Sequence, residues 1–148
     1  MRYEDDICIR LMYHIRKEYP QNRWQVFHVA NEGKRKPQYR AKLAKLGVLA
    51  GVSDYVITKP SGGYPCLFLE IKTSDGRPSN DQLTFLREQR LNGHMGLISY
   101  GYEESKYIID EWFAGRAQRL RWMQECDRKR ARNAGWKERA KSAAPEGM

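Results

Sequence analysis

Between residues 2 and 18 the apolar side chains fall at Ile7, Cys8, Leu11, Met12 and Ile15. That three-and-four spacing predicts an amphipathic helix, closed before Pro20. Residues 24–29, Trp-Gln-Val-Phe-His-Val, are rich in aromatic and β-branched types and predict a strand running into Asn31 and the Gly33 loop. A short helix near residues 39–46 follows, with Tyr39, Leu43 and Leu46 as its inner stripe and Arg40, Lys42 and Lys45 mostly off it. Residues 55–58 and 67–71 are apolar runs separated by Lys-Pro-Ser-Gly-Gly-Tyr-Pro, a cluster of turn formers, and predict a β-hairpin. A polar loop over residues 73–78 leads to a helix over 79–91, stopped by Asn92-Gly93. Residues 95–100 form a further strand, and residues 103–114 a helix through Ile108, Ile109, Trp112 and Phe113 that breaks at Gly115. The order α-β-α-β-β-α-β-α predicts one α/β domain, a mixed sheet flanked by helices.

Composition narrows the class. The 148 residues are 41% hydrophobic and 11% aromatic, enough for a packed core and too apolar for a disordered chain. No apolar run approaches the roughly 20 residues of a membrane span, and Glu4, Asp5 and Asp6 do not begin a signal peptide, so an intracellular, non-secreted protein is expected. Cys8, Cys66 and Cys126 are odd in number and scattered, as are His14, His28 and His94, so no disulfide framework or zinc site is indicated. No catalytic role is assigned to the histidines.

The net charge of +9 favours a polyanionic partner, nucleic acid or a membrane surface. Its distribution is uneven. Residues 1–115 carry 17 basic against 14 acidic side chains, whereas residues 116–141 carry ten against three. The chain therefore divides into a nearly balanced domain, residues 1–115, and a basic, partly helical extension, residues 116–148. Leu120, Trp122 and Met123 in the extension would pack on the domain or on a second chain.

The chemistry gathers around the hairpin. With its turn centred on Gly62, residues whose numbers sum to 124 face each other, and Asp54 lies opposite Glu70. Alternation puts Lys72 on the face of Glu70 and turns Leu67, Leu69 and Ile71 to the other. Two like charges so placed need a compensating cation, from Lys72 or from a divalent metal. Carboxylate oxygens with no soft ligand suit Mg²⁺ or Mn²⁺, ions that also bind phosphate oxygens. Metal and lysine together suit phosphodiester hydrolysis. Glu4 adds a third carboxylate: at 100° per residue Ile7, Cys8, Leu11 and Ile15 fall within about 60° of it, so it sits in the apolar stripe. A helix-start Glu favoured by the helix dipole is the competing account.

Glu4, Gly51-Val52-Ser53-Asp54, Glu70-x-Lys72 and Gln82 resemble the PD-(D/E)XK nuclease motif in its compact virus-type replication-repair form, the VRR-NUC domain. The likeness runs from Glu4 to Asp110 and includes Asn31, the Lys45-Leu46-Gly47-Val48-x-Ala50-Gly51 approach and the Gly76-Arg77-Pro78-Ser79-x-x-Gln82 helix entry. It implies that Asp54, Glu70 and the main-chain carbonyl of Ile71 coordinate metal, joined by Glu4 directly or through water. Lys72 would be the catalytic lysine, and Gln82 a support for the site. Ser53 stands where the family usually has Pro, which removes a fixed φ but no ligand.

For Gln82, a capping box with Ser79 is an equally direct reading, and Asn31 is a turn residue by default. Lys34, Arg35, Lys36 and Arg40 read as contacts to backbone phosphate or as solvated charges. The resemblance implies a Mg²⁺- or Mn²⁺-dependent, structure-specific DNA endonuclease acting on branched DNA such as four-way junctions. A homodimer would supply paired incisions, as in small viral and bacterial members. Two alternatives stand beside it: a non-catalytic DNA-binding module on the same fold, and a restriction-type endonuclease.

Overall fold

A computed structural model of the chain describes residues 3–30 and 36–126. The first helix, α1 (Tyr3–Glu18), buries Ile7, Leu11 and Ile15 and places acidic residues in its first turn and Arg16 and Lys17 in its last, complementing the helix dipole. A 3-10 helix (Pro20–Gln25) and β1 (Val26–His28) follow. Next come α2 (Pro37–Lys45), β2 (Tyr55–Ile57), β3 (Leu67–Lys72), α3 (Asn80–Leu91), β4 (Met95–Tyr100), α4 (Tyr102–Phe113) and a second 3-10 helix (Ala117–Glu125). The sheet order is β1-β2-β3-β4, antiparallel across the first two pairs and parallel between β3 and β4. This is the mixed α/β architecture expected.

The hairpin register is the expected one: Tyr55 pairs with Leu69, Val56 with Phe68 and Ile57 with Leu67. Its tip is a tight turn with Gly62 and Gly63 both at positive φ, a conformation that glycine takes without strain. Ser61 Oγ donates to the Trp112 carbonyl at 2.6 Å and Trp112 Nε1 to the Lys59 carbonyl at 2.9 Å, pinning the tip to α4. The main core lies on one face of the sheet, where Leu67, Leu69 and Ile71 meet the α1 stripe, Ile108, Ile109 and Trp112. On the other face α3 packs Leu83 and Leu86 over Ile98 and Tyr100. Covered on both faces, β4 buries all six of its residues, as the strand of a parallel pair should.

Two expectations need correction. Trp24 and Gln25 are not strand: Pro20 opens a 3-10 helix, Asn22 Nδ2 donates to Gln25 Oε1 at 2.6 Å, and the strand begins only at Val26. The stripe expected on α2 is not an inner one, because this helix buries none of its residues and Tyr39 and Leu46 are 50% and 70% exposed. Of the two placements open to Leu120 and Met123, the structure shows packing on the domain: both are fully buried in the main core with Ala117. The core thus crosses the division drawn after residue 115, while residues 127–148 of the basic extension lie outside the described residues. Among the described residues no helix is long and apolar enough to cross a membrane.

Candidate functional site

Asp54 stands one residue before β2, and its main chain is held by the ladder: its carbonyl accepts from Val29 N–H at 2.9 Å. The register that pairs Tyr55 with Leu69 sets Asp54 opposite Glu70. Asp54 Oδ2 accepts from Ile71 N–H at 2.7 Å, so the carboxylate is aimed across the strand end rather than into solvent. The carbonyls of Cys66 and Lys72 accept from Met95 N–H and Gly101 N–H, so the even-numbered peptides of β3 face β4. By alternation the Ile71 carbonyl faces the β2 side, beyond the end of β2 at Tyr55. Ser53 is buried and donates from Oγ to the Tyr55 carbonyl at 3.1 Å, bracing the turn into Asp54.

Glu70 is 3% exposed. Its Oε1 accepts from Gln82 Nε2 at 2.7 Å, and its Oε2 is buried with no hydrogen-bond partner. Burial first, and the charge of Asp54 second, push this carboxyl up to about 8, against the pull of Lys72. Lys72 Nζ lies 3.4 Å from Glu70 Oε1 and 3.8 Å from Glu4 Oε1. Glu4, in the first turn of α1, thus lies on the side of that helix that reaches Lys72, with its side chain 37% exposed. The angle of α1 is fixed far from the site as well: Asp110 Oδ1 on α4 accepts from Tyr19 Oη at 2.6 Å, and His14 Nε2 lies 2.7 Å from the same oxygen.

Gln82 makes contacts on both sides. Ser79 Oγ accepts from Gln82 N–H at 3.1 Å, and Gln82 Oε1 accepts from Ser79 N–H at 2.9 Å, a complete capping box, while Nε2 reaches Glu70. One amide side chain therefore ties the start of α3 to the buried carboxyl.

The residues fit a hard divalent cation. An orphaned, buried carboxylate oxygen beside a second carboxylate is the environment in which ionisation is costly without a cation. Among the described residues no three His, Cys, Asp or Glu side chains are grouped so that they could hold a metal ion by themselves. Two carboxylates and a carbonyl are the open donor set that Mg²⁺ accepts, since it keeps waters and takes phosphate oxygens for the rest.

Asp54, Glu70, Ile71, Lys72, Glu4 and Gln82 are thus brought together. Lys36 and Arg40 are exposed, at the N-cap and first turns of α2. Asn31, Lys34 and Arg35 lie outside the described residues. One contact was not foreseen. Gly51 has φ +87°, and a Cβ there would lie 2.5 Å from the Asp81 carbonyl carbon, so the approach to Asp54 is pressed against the first turn of α3. The run of Gly47 and Gly51 ahead of the aspartate was the available signal.

No family model matches this sequence, and no curated protein does. Among solved structures the chain is similar to a "VRR_NUC domain protein", at 20% identity and a TM-score of 0.66, over 78% of this chain and 91% of that one. The resemblance read from the site residues is therefore matched at the level of the fold.

Proposed function

We propose that this chain is a metal-dependent, structure-specific DNA endonuclease that hydrolyses phosphodiester bonds in branched DNA such as four-way junctions. The observation that carries this reading is the buried Glu70 carboxyl, with one oxygen unsatisfied, set opposite Asp54 and 3.4 Å from Lys72. Asp54, Glu70 and the Ile71 carbonyl would hold Mg²⁺ or Mn²⁺, with Glu4 joining directly or through water. The cation, when bound, supplies Lewis-acid polarisation of the scissile phosphate and makes water a better nucleophile at neutral pH. Lys72, held between Glu4 and Glu70, orients the attacking water and offsets the charge that develops on the phosphoryl oxygens. Gln82 keeps the Glu70 carboxylate in one rotamer.

A net charge of +9 supports a DNA partner, and Lys34, Arg35, Lys36 and Arg40, with Asn31 near them, are assigned to the phosphate backbone. Symmetric incision of a four-way junction requires two sites related by a two-fold axis, hence a homodimer. Labelled junction, flap and linear duplex, each incubated with Mg²⁺, Mn²⁺ or EDTA, test the reading. Metal-dependent cutting of the junction, lost in Lys72→Ala with binding retained, is the expected result. Binding without cutting under every metal would overturn it and leave a DNA-binding module.

A further inference from the structure

A cavity of about 460 Å³ lies between the second half of α1, the first 3-10 helix and the start of β1, lined by Met12, Ile15, Arg16, Tyr19, Pro20, Arg23 and Val26. Its floor is apolar, since Ile15 and Val26 are core residues. Its charged lining residues are two exposed arginines, with no carboxylate among them. Next to it Trp24 is 85% exposed, an unusual place for the largest apolar side chain, and the Arg23 guanidinium lies 5.2 Å from its ring. The strand expected across Trp24 would have paired this segment with β2. The 3-10 helix instead presents indole and guanidinium together at the surface.

The cavity is remote from the proposed metal site. Val26 pairs with Ile57, and Ile57 with Leu67, at the start of β3, whereas Glu70 and Lys72 are at its end. Along α1, Glu4 and Arg16 are twelve residues apart, about 18 Å at 1.5 Å per residue.

We infer that this groove is a single-stranded DNA subsite: one base enters the apolar cavity, the flanking phosphates meet Arg16 and Arg23, and a neighbouring base stacks on Trp24. The inference rests on the nuclease reading for its biological setting but not for its chemistry. Two guanidiniums without a carboxylate select a polyanion, and the apolar floor with an open indole selects one whose bases are unstacked. A duplex offers only its phosphates to such a groove, because its bases are occupied with one another. A substrate with an unpaired arm would engage the groove and the metal site at once.

The test uses the full chain in EDTA, so that nothing is cut. Fluorescein-labelled oligo-dT of twelve nucleotides and a duplex of equal length are titrated by anisotropy against wild type, Trp24→Ala, Trp24→Phe and the double variant Arg16→Glu/Arg23→Glu. All of these positions are exposed, and thermal melts confirm that the variants fold. Trp24→Ala should weaken oligo-dT binding about fivefold or more, with Trp24→Phe retaining most of the affinity. The double variant should weaken it about tenfold and reduce the magnitude of the log–log salt slope by about 1.4, the value for two lost single-strand phosphate contacts. Duplex binding should change much less. Oligo-dT affinity unchanged in both Trp24→Ala and the double variant would overturn the subsite, as would equal losses for oligo-dT and duplex. If the subsite fails while junction cutting persists, only this inference falls. If cutting fails while oligo-dT binding behaves as stated, only the nuclease reading falls.

Discussion

Gln82 donates from Nε2 to Glu70 Oε1 at 2.7 Å while its own Oε1 accepts from Ser79 N–H at 2.9 Å, so the cap of α3 and the buried carboxyl share a single side chain. Gln82→Ala removes both bonds and should cost about 1–3 kcal/mol of stability and about 10–100-fold in cutting rate. Gln82→Glu can still accept from Ser79 but has no amide donor for Glu70 and adds, beyond Asp54, a further carboxylate against it. It should keep more stability than Gln82→Ala at pH 5 and less at pH 8, read from denaturant melts at the two pH values.

Glu70 makes the metal-free protein pH-sensitive in a defined direction. Its folded-state carboxyl is raised from 4.5 to about 8, chiefly by burial, so between those values the folded chain holds a proton that the unfolded chain has released. The contribution to stability is fully present below about 4.5 and is lost as pH rises through about 8, with a slope of at most about 1.4 kcal/mol per pH unit. Melting temperatures in EDTA should therefore fall from pH 5 to pH 8 in wild type and stay flatter in Glu70→Gln. Parallel curves for the two proteins would exclude Glu70 as the source. Mg²⁺ added at pH 7 should release protons, seen as a dependence of the binding heat on buffer ionisation enthalpy.

The glycines before Asp54 separate backbone strain from crowding. Gly47 and Gly51 both have positive φ, +95° and +87°, but a Cβ at Gly47 meets open space whereas one at Gly51 meets the Asp81 backbone at 2.5 Å. Gly47→Ala should cost about 1 kcal/mol, from conformation alone. Gly51→Ala should cost about 2 kcal/mol more and reduce cutting as well, because relief of the clash shifts the loop that carries Asp54. Equal losses in both variants would show that the close approach has no bearing on the site.

Leu120 tests how far the core extends. It is fully buried with Ala117 and Met123 beyond the glycine that ends α4, and Gln124 Oε1 accepts from Gly96 N–H at 3.1 Å on β4. Leu120→Ala should lose about 2–5 kcal/mol by chemical denaturation. A chain ended after residue 115 should be far less stable than one ended after residue 126, measured by thermal melting. Equal melting of the two would place the folding boundary at Gly115 after all.

What the sequence disclosed depended on whether a local rule and the tertiary contact agreed. Asp54, Glu70 and Lys72 were legible because strand alternation and a two-glycine turn fix the register without reference to the rest of the fold. The capping box of Gln82 was legible in the Ser79-x-x-Gln82 spacing, and the same side chain also reaches Glu70. The strand over Trp24 was misread because Pro20 and the Asn22–Gln25 bond close a tight helix that aromatic content cannot reveal. The apolar positions of α2 promised burial, but that helix buries none of its residues. Ala117, Leu120 and Met123 recur every three residues, the 3-10 period, and the arginines between them drew attention to charge instead.

One core joins Ile7 near the start of the described chain to Met123 near its end. A ribosome adding about 5–20 residues per second makes Glu4 at least about 6 s before Met123 exists. Through that interval the core on which α1 packs is incomplete. The core that takes in the first helix therefore cannot be complete on a nascent chain until the segment holding Met123 has been made.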